Sequence, residues 1–109
     1  MRPFSLSRQS LQILVAIGDE DRHGYAILQE LRQQGLRLSP STLYSLIKRL
    51  LEEGLIDELD ERPDPNHDDE RRRYYRLTKA GRQAARSEAS ELERLLVKAR
   101  AAGLVPKRG

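Results

Sequence analysis

The 109-residue chain contains no cysteine and no tryptophan, and it has only two histidines and one phenylalanine. Without cysteine it can form neither a disulfide framework nor a thiolate metal site. Because His23 and His67 stand alone and no glycine-rich phosphate loop is present, no catalytic constellation can be assembled. We therefore expect a protein that is not an enzyme and that uses no cofactor and no metal. Neither a membrane-spanning apolar run nor a secretory leader pattern is visible, which favours a soluble, cytoplasmic protein.

Charge is present in quantity but is unevenly distributed. The formal net charge is only +3, which by itself says little about nucleic acid. Residues 52–70 hold ten acids and one base, a local net charge of −9. Residues 71–82 follow with six cations and no acid, a local net charge of +6. The basic segment can contact phosphates, and it can equally neutralise the acidic segment beside it.

Residues 39–56, SPSTLYSLIKRLLEEGLI, have the pattern of an amphipathic helix that ends at Gly54. Ser39 is a good N-cap, and Pro40 suits the first helical position because its missing N–H is not needed there. Apolar residues at helical spacing predict one buried arc, formed by Leu43, Leu46, Ile47, Leu50 and Leu51. The opposite arc carries hydroxyls, a phenol and cations that suit phosphates and base edges of a major groove: Ser41, Thr42, Tyr44, Ser45, Lys48 and Arg49.

The remaining elements complete a helix-turn-helix order with a small hairpin. We predict a first helix over residues 8–17 and a second from His23 to Gln34. The second helix is expected to point four side chains inward: Tyr25, Ile27, Leu28 and Leu31. Short strands are predicted over residues 56–60 and 72–77, with Tyr75 in the core and a loop over residues 61–70 between them. The fold class is therefore mostly α with a two-stranded β wing.

The last predicted helix runs from a Thr78 cap to about Ala102 and carries a narrow apolar stripe. Its members follow each other at spacings of 4, 3, 4 and 3 residues: Ala85, Ala89, Leu92, Leu96 and Ala99. A two-position stripe of this kind is narrower than a globular helix usually needs. We predict that it packs against a partner chain, with packing inside its own chain as the alternative.

Three segments resemble the PadR family of bacterial transcriptional regulators, in its short form with one C-terminal helix. They are HGYAILQEL (23–31), STLYSLIKRLLEEGLI (41–56) and RYYRLTKAGR (73–82). The resemblance implies a winged helix-turn-helix over residues 1–77 and a C-terminal dimerisation helix with its tail over residues 78–109. It also implies a homodimer built by the first and last helices, with Leu11 and Leu14 on the first. Such a dimer binds a pseudo-palindromic DNA operator, usually as a repressor.

By position, Tyr44 is similar to the recognition-helix tyrosine that family members use against the DNA backbone. Ser41, Thr42, Ser45 and Lys48 match neighbouring DNA-facing positions. The returning strand of the wing matches at four residues that would contact phosphate or the minor groove: Arg71, Arg72, Arg73 and Tyr74. For Tyr74, packing is as plausible a role as DNA contact.

Two departures from the family pattern separate this chain from many relatives. Its wing tip is acidic, DPNHDDE, where many relatives have a basic, glycine-rich tip. This acidic loop leaves open an alternative function, a winged-helix module that docks onto a protein partner. An unidentified small-molecule effector also stays open, although a chain without tryptophan lacks the residue with which drug-binding relatives hold flat ligands.

Overall fold

The computed structural model describes residues 6–64 and 67–106, with the side chains of residues 6–59 and 73–106. Four helices and three strands follow each other along this part of the chain. Their order is α1 (Arg8–Ile17), β1 (Arg22–His23), α2 (Gly24–Gln33), α3 (Pro40–Glu52), β2 (Ile56–Asp64), β3 (His67–Leu77) and α4 (Lys79–Ala101). The mostly helical class predicted from the sequence is confirmed.

A single apolar core joins α1, α2 and α3 and extends to the first residues of the sheet. Ile13, Ile17, Ile27 and Leu43 lie in its centre, each with no exposed surface. Each of these helices starts at a side-chain cap: Ser7 Oγ accepts from the Ser10 N–H, and Ser39 Oγ accepts from the Thr42 N–H. The caps determine where each helix begins, and its apolar stripe then determines which face turns toward the core.

The second helix begins at Gly24, and its apolar face is the predicted one except at one residue. Gly24, Ile27, Leu28 and Leu31 form its buried face. Tyr25 was predicted to point inward, and this prediction is wrong, since 48% of its surface is exposed. Consecutive residues of a helix lie about 100° apart around its axis. Because Gly24 faces the core, its neighbour Tyr25 faces outward.

The three strands form one antiparallel sheet in the order β1-β3-β2. Two features differ from the prediction of a two-stranded wing. The two-residue strand β1, too short to produce an alternating pattern, pairs Arg22 with Tyr75 and His23 with Tyr74. In addition, the loop predicted over residues 61–70 is wrong, because β2 continues to Asp64 and β3 starts at His67. Pro63 is compatible with this longer hairpin because β2 is an edge strand, and the register shifts on either side of it absorb the irregularity.

The last helix is joined to the turn between α3 and β2. The Thr78 N–H donates to the Leu55 carbonyl over 3.1 Å, and the Thr78 hydroxyl donates to the Gly54 carbonyl over 2.7 Å. Gly81 is the only residue of α4 that is buried in the chain. A Cβ at Gly81 would collide with the Leu55 carbonyl oxygen and lie 2.8 Å from its carbonyl carbon. The start of α4 is thus closely seated while the rest of the helix projects. Among the described residues, no helix is both long and apolar enough to cross a membrane.

Candidate nucleic-acid interface

The polar face of α3 is exposed along its whole length. The residues that the sequence assigned to it are all on the surface: Ser41, Thr42, Tyr44, Ser45 and Lys48. Their apolar counterparts Leu43, Ile47 and Leu50 are buried on the opposite side. Within the described part of the chain, Ser45 and Lys48 have no side-chain hydrogen bond or ion pair. The face therefore presents hydroxyls and one ammonium group that can bind an external ligand.

Three hydroxyl groups are clustered at the start of α3. Ser39 Oγ donates to Thr42 Oγ1 over 3.0 Å and lies 3.2 Å from Ser41 Oγ. Because a hydroxyl donates one hydrogen bond and accepts two, this cluster leaves the Thr42 O–H free to donate outward. The N-cap thus supports the fold and orders two side chains of the exposed face at the same time.

Tyr44 lies at the border of this face and rests on the start of α2. A Cβ on Gly24 would collide with the Tyr44 hydroxyl and lie 2.9 Å from the ring carbons Cε1 and Cζ. Only glycine allows this approach. The ring is nevertheless 49% exposed, so its other side remains available to a ligand. The absence of a side chain at Gly24 therefore positions Tyr44.

A tyrosine, a glutamate and an arginine connect the hairpin with α3. Tyr75 is buried and lies directly opposite Glu58 on the paired strand β2, whose carboxylate interacts with the Tyr75 hydroxyl. Burial raises the pKa of Tyr75 above its ordinary value; the Glu58 carboxylate and the nearby Tyr44 add to this, and Arg73 opposes it. Glu58 also accepts from Arg73 over 3.1 Å. Glu58 thus interacts with two residues of β3 and joins the two strands of the hairpin.

The other face of β3 carries Tyr74, which packs on His23. The two rings meet edge to face with their centroids 5.5 Å apart. His23 Nδ1 in turn accepts from the Ala26 N–H over 3.1 Å and caps α2. Tyr74 is half-buried, so part of its surface is used inside the fold. Its DNA-binding role stays a prediction beside this packing role.

The arginines of the basic strand fall into three groups. Arg73 is paired, Arg76 is exposed without an ion pair in the described part of the chain, and the side chains of Arg71 and Arg72 are not described. Arg73 forms an ion pair with Glu58, which is the local neutralisation that the sequence left open. Arg71 and Arg72 lie in β3, paired in register with Pro63 and Arg62, but their side chains fall outside the described residues. The acidic loop side chains at 61–70 fall outside them as well. The phosphate-binding role of the strand therefore stays a prediction.

Sequence reasoning missed the parts of this surface that depend on tertiary contacts. Nothing in the sequence indicated that Glu58 binds both Tyr75 and Arg73. The position of Glu58 directly opposite Tyr75 follows from the hairpin register, which the sequence alone leaves undetermined. For Gly24 the sequence predicted a close approach between helices, and the structure identifies Tyr44 as the residue that approaches.

A second exposed surface runs along α4 and α1. Leu96 is 40% exposed, and Leu95 and Val97 are more exposed still. On α1, Val15 is 56% exposed and lies one turn after Leu11. Leu11 and Leu14 were predicted to contact a partner chain, but Leu11 is only 6% exposed and Leu14 is completely buried, so we remove both from this surface. The exposed apolar groups of α1 and α4 can be covered by another molecule.

Comparisons with known proteins agree with this arrangement. The family model described as the transcriptional regulator PadR-like family matches residues 13–87. The transcriptional regulator Rv3488 of Mycobacterium tuberculosis is 39% identical over 95 residues, which cover 87% of this chain and 85% of that protein. A PadR family transcription regulator of Clostridium difficile superposes with a TM-score of 0.75 at 22% identity, covering 87% of this chain and 97% of that one.

A further solved structure is that of Bacillus subtilis PadR in complex with operator DNA. It matches with a TM-score of 0.67 at 21% identity, covering 76% of this chain and 47% of that one. At this level of identity the solved structures are evidence for the fold alone. They confirm the predicted winged helix-turn-helix with a C-terminal helix.

Proposed function

The chain belongs to the PadR-like family of transcriptional regulators, and we propose that it is a homodimeric repressor of a pseudo-palindromic DNA operator. In this proposal residues 40–53 read the major groove and the basic strand at 71–76 contacts phosphates. Residues 1–77 form the DNA-binding part, and residues 78–109 provide the dimerisation helix and tail. The observation that carries the proposal is the exposed polar face of α3, on which Ser45 and Lys48 have no partner in the described part of the chain.

The chemistry of that face favours duplex DNA over other ligands. Serine and threonine hydroxyls bind phosphates and both kinds of base pair, while Lys48 adds an unpaired positive charge. The operator complex of Bacillus subtilis PadR, a protein of the same fold, supports DNA as the ligand by analogy. Phosphate contacts would supply much of the affinity, and hydroxyl contacts with base edges would supply specificity.

Dimerisation is supported by how little of α4 is covered by its own chain. Only Gly81 of its 23 residues is fully buried, and beyond Ala84 and Ala85 the helix does not pack on the chain's core. Because most helical stability in proteins comes from packing of an apolar face, the later turns of α4 favour a partner. In this proposal Ala89, Leu92, Leu96 and Ala99 of the predicted stripe provide the contact, and the exposed Val15 extends it onto α1. Ala85, the first member of the stripe, packs against the core of its own chain. A two-fold dimer would match the symmetry of a pseudo-palindromic operator.

Replacing Lys48 by alanine is expected to weaken binding to all duplexes and to lower the slope of log affinity against log salt by about one. The reason is that Lys48 neutralises one phosphate and releases one set of counterions. Fluorescence anisotropy titrations over a range of NaCl concentrations measure both quantities. Lys98→Ala serves as the matched control, because Lys98 is an exposed lysine near the far end of α4.

Unchanged affinity of a variant with Tyr44, Lys48 and Arg72 all replaced by alanine would show that the interface is assigned to the wrong surface. Such a result would count against the proposal only if the variant keeps its fold. Circular dichroism and the thermal midpoint establish this before the titration.

Gly24→Ala is expected to lower DNA affinity while changing the free energy of unfolding by less than about 1 kcal/mol. The added methyl group displaces the Tyr44 ring, which can swing outward at small cost because it is the far end of an exposed side chain. Affinity should fall about as far as in Tyr44→Ala. In a double-mutant cycle the two changes should not add, since both remove the same contact. Full additivity would mean that Gly24 acts on DNA binding independently of Tyr44.

A further inference from the structure

A cleft with a volume of about 520 Å³ opens at the turn between α2 and α3. It is lined by Arg32, Arg37, Leu38 and Ser39. Arg32 belongs to the last turn of α2, and Arg37 precedes the Ser39 cap of α3 by two residues. Two guanidinium groups thus border an open cleft at the end of the exposed α3 face.

Both arginines are exposed, and neither forms an ion pair with any residue in the described part of the chain. Four other arginines do form ion pairs with carboxylates: Arg22 with Glu20, Arg49 with Glu53, Arg73 with Glu58 and Arg82 with Asp19. Glu30, the acidic residue of α2, is hydrogen-bonded to Gln34. The positive charge at the cleft is therefore not neutralised by its own surroundings.

The charge of the surrounding sequence also favours an anionic ligand at the cleft. From Leu31 to Leu51 the chain has four cations and no acid, a local net charge of +4. The next segment, residues 52–70, has the opposite sign, with a net charge of −9. An anionic polymer that approaches α3 is attracted at the α2–α3 turn and repelled by the acidic residues of 52–70.

We infer that Arg32 and Arg37 form a phosphate clamp that holds the DNA backbone at the edge of the groove entered by α3. This inference rests on the proposed function. In helix-turn-helix proteins the N-terminal residues of the recognition helix reach the bases, so groups just before that helix face the sugar-phosphate backbone. The planar fork of arginine suits a bidentate contact with phosphate oxygens. The clamp supplies phosphate contacts at the turn, where an acidic wing tip would supply none.

The test compares Arg32→Ala, Arg37→Ala and the double variant with the wild-type protein. Two duplexes of equal length are used, one enriched by selection on the wild-type protein and one unrelated. Each single replacement is expected to weaken binding to both duplexes by about tenfold, since a charge-assisted hydrogen bond contributes about that factor. The salt slope should fall by about one for each arginine and by about two in the double variant. Arg37→Lys should recover the slope, because it restores the charge.

The matched control is Arg94→Ala, which removes an exposed cation of α4 that has no ion pair in the described part of the chain. It should leave affinity and slope unchanged. If the wild-type protein binds DNA and the double variant binds equally well, the clamp is wrong while the proposed function stands. A loss confined to the selected duplex would also overturn the clamp, since it would indicate base recognition. If the wild-type protein binds neither duplex, the proposed function itself fails.

Discussion

Replacing Leu96 by aspartate is expected to convert the protein from a dimer to a monomer and to weaken operator binding by about 100-fold. Leu96 is 40% exposed in the single chain, so a carboxylate there would not disturb the fold of the chain itself. In a dimer it would be buried among the apolar side chains of the α4 stripe without a partner, which is strongly unfavourable. A monomer contacts only one half-site and so loses the gain in affinity from bivalent binding, a factor of about 10² to 10⁴.

Size-exclusion chromatography with light scattering measures the oligomeric state, and anisotropy measures the affinity. Val97→Asp is the matched control, because Val97 is a neighbouring exposed apolar residue that lies about 100° further round the helix. It should remain dimeric. A Leu96→Asp protein that stays dimeric, or a Val97→Asp protein that dissociates instead, would place the interface on a different face of α4.

Gly81→Ala is expected to lower the free energy of unfolding by about 3 kcal/mol, at the upper end of the usual cost of overpacking. The added methyl group would collide with the carbonyl group of Leu55, and a backbone atom cannot rotate away as a side chain can. At an exposed helical position the same replacement would instead stabilise the helix by up to about 1 kcal/mol. The sign of the change therefore distinguishes the close approach from simple helix propensity.

Urea unfolding followed by circular dichroism gives the difference in free energy. Gln83→Ala, two residues further along the same helix at an exposed position, should change it by less than about 0.5 kcal/mol. If Gly81→Ala is as stable as the wild-type protein, α4 is not seated on the α3–β2 turn in solution.

The helices of this protein could be predicted well because their signals are local. Ser39, Pro40 and the apolar spacing from Leu43 to Leu51 define α3, and the exposed face that results is the one predicted. The sheet was predicted less well. The pairing of β1 with β3 and the extension of β2 through Pro63 depend on long-range register, which short stretches of alternating residues do not encode.

The candidate interface shows the same division between local and tertiary information. Helical geometry alone places Ser41, Ser45 and Lys48 on one side. The partners of Arg73 and Tyr74 depend instead on which strand lies next to them, and both residues also serve the fold. At Tyr25 a local signal gave the wrong result. The aromatic side chain was predicted to lie in the core, but the adjacent Gly24 faces the core instead.

In the proposed dimer, the seating of α4 on Gly54 and Leu55 would set the spacing between the two copies of α3. Two hydrogen bonds from Thr78 and the close approach of Gly81 join the base of α4 to the residues that directly follow α3. In a dimer held together by α4, this joint sets the distance between the two recognition helices. Successive major grooves on one side of the duplex lie about 34 Å apart. The distance between the two α3 helices would therefore decide which half-site spacing the dimer binds. A change in the tilt of α4 would alter that spacing while leaving every DNA-contacting side chain in place.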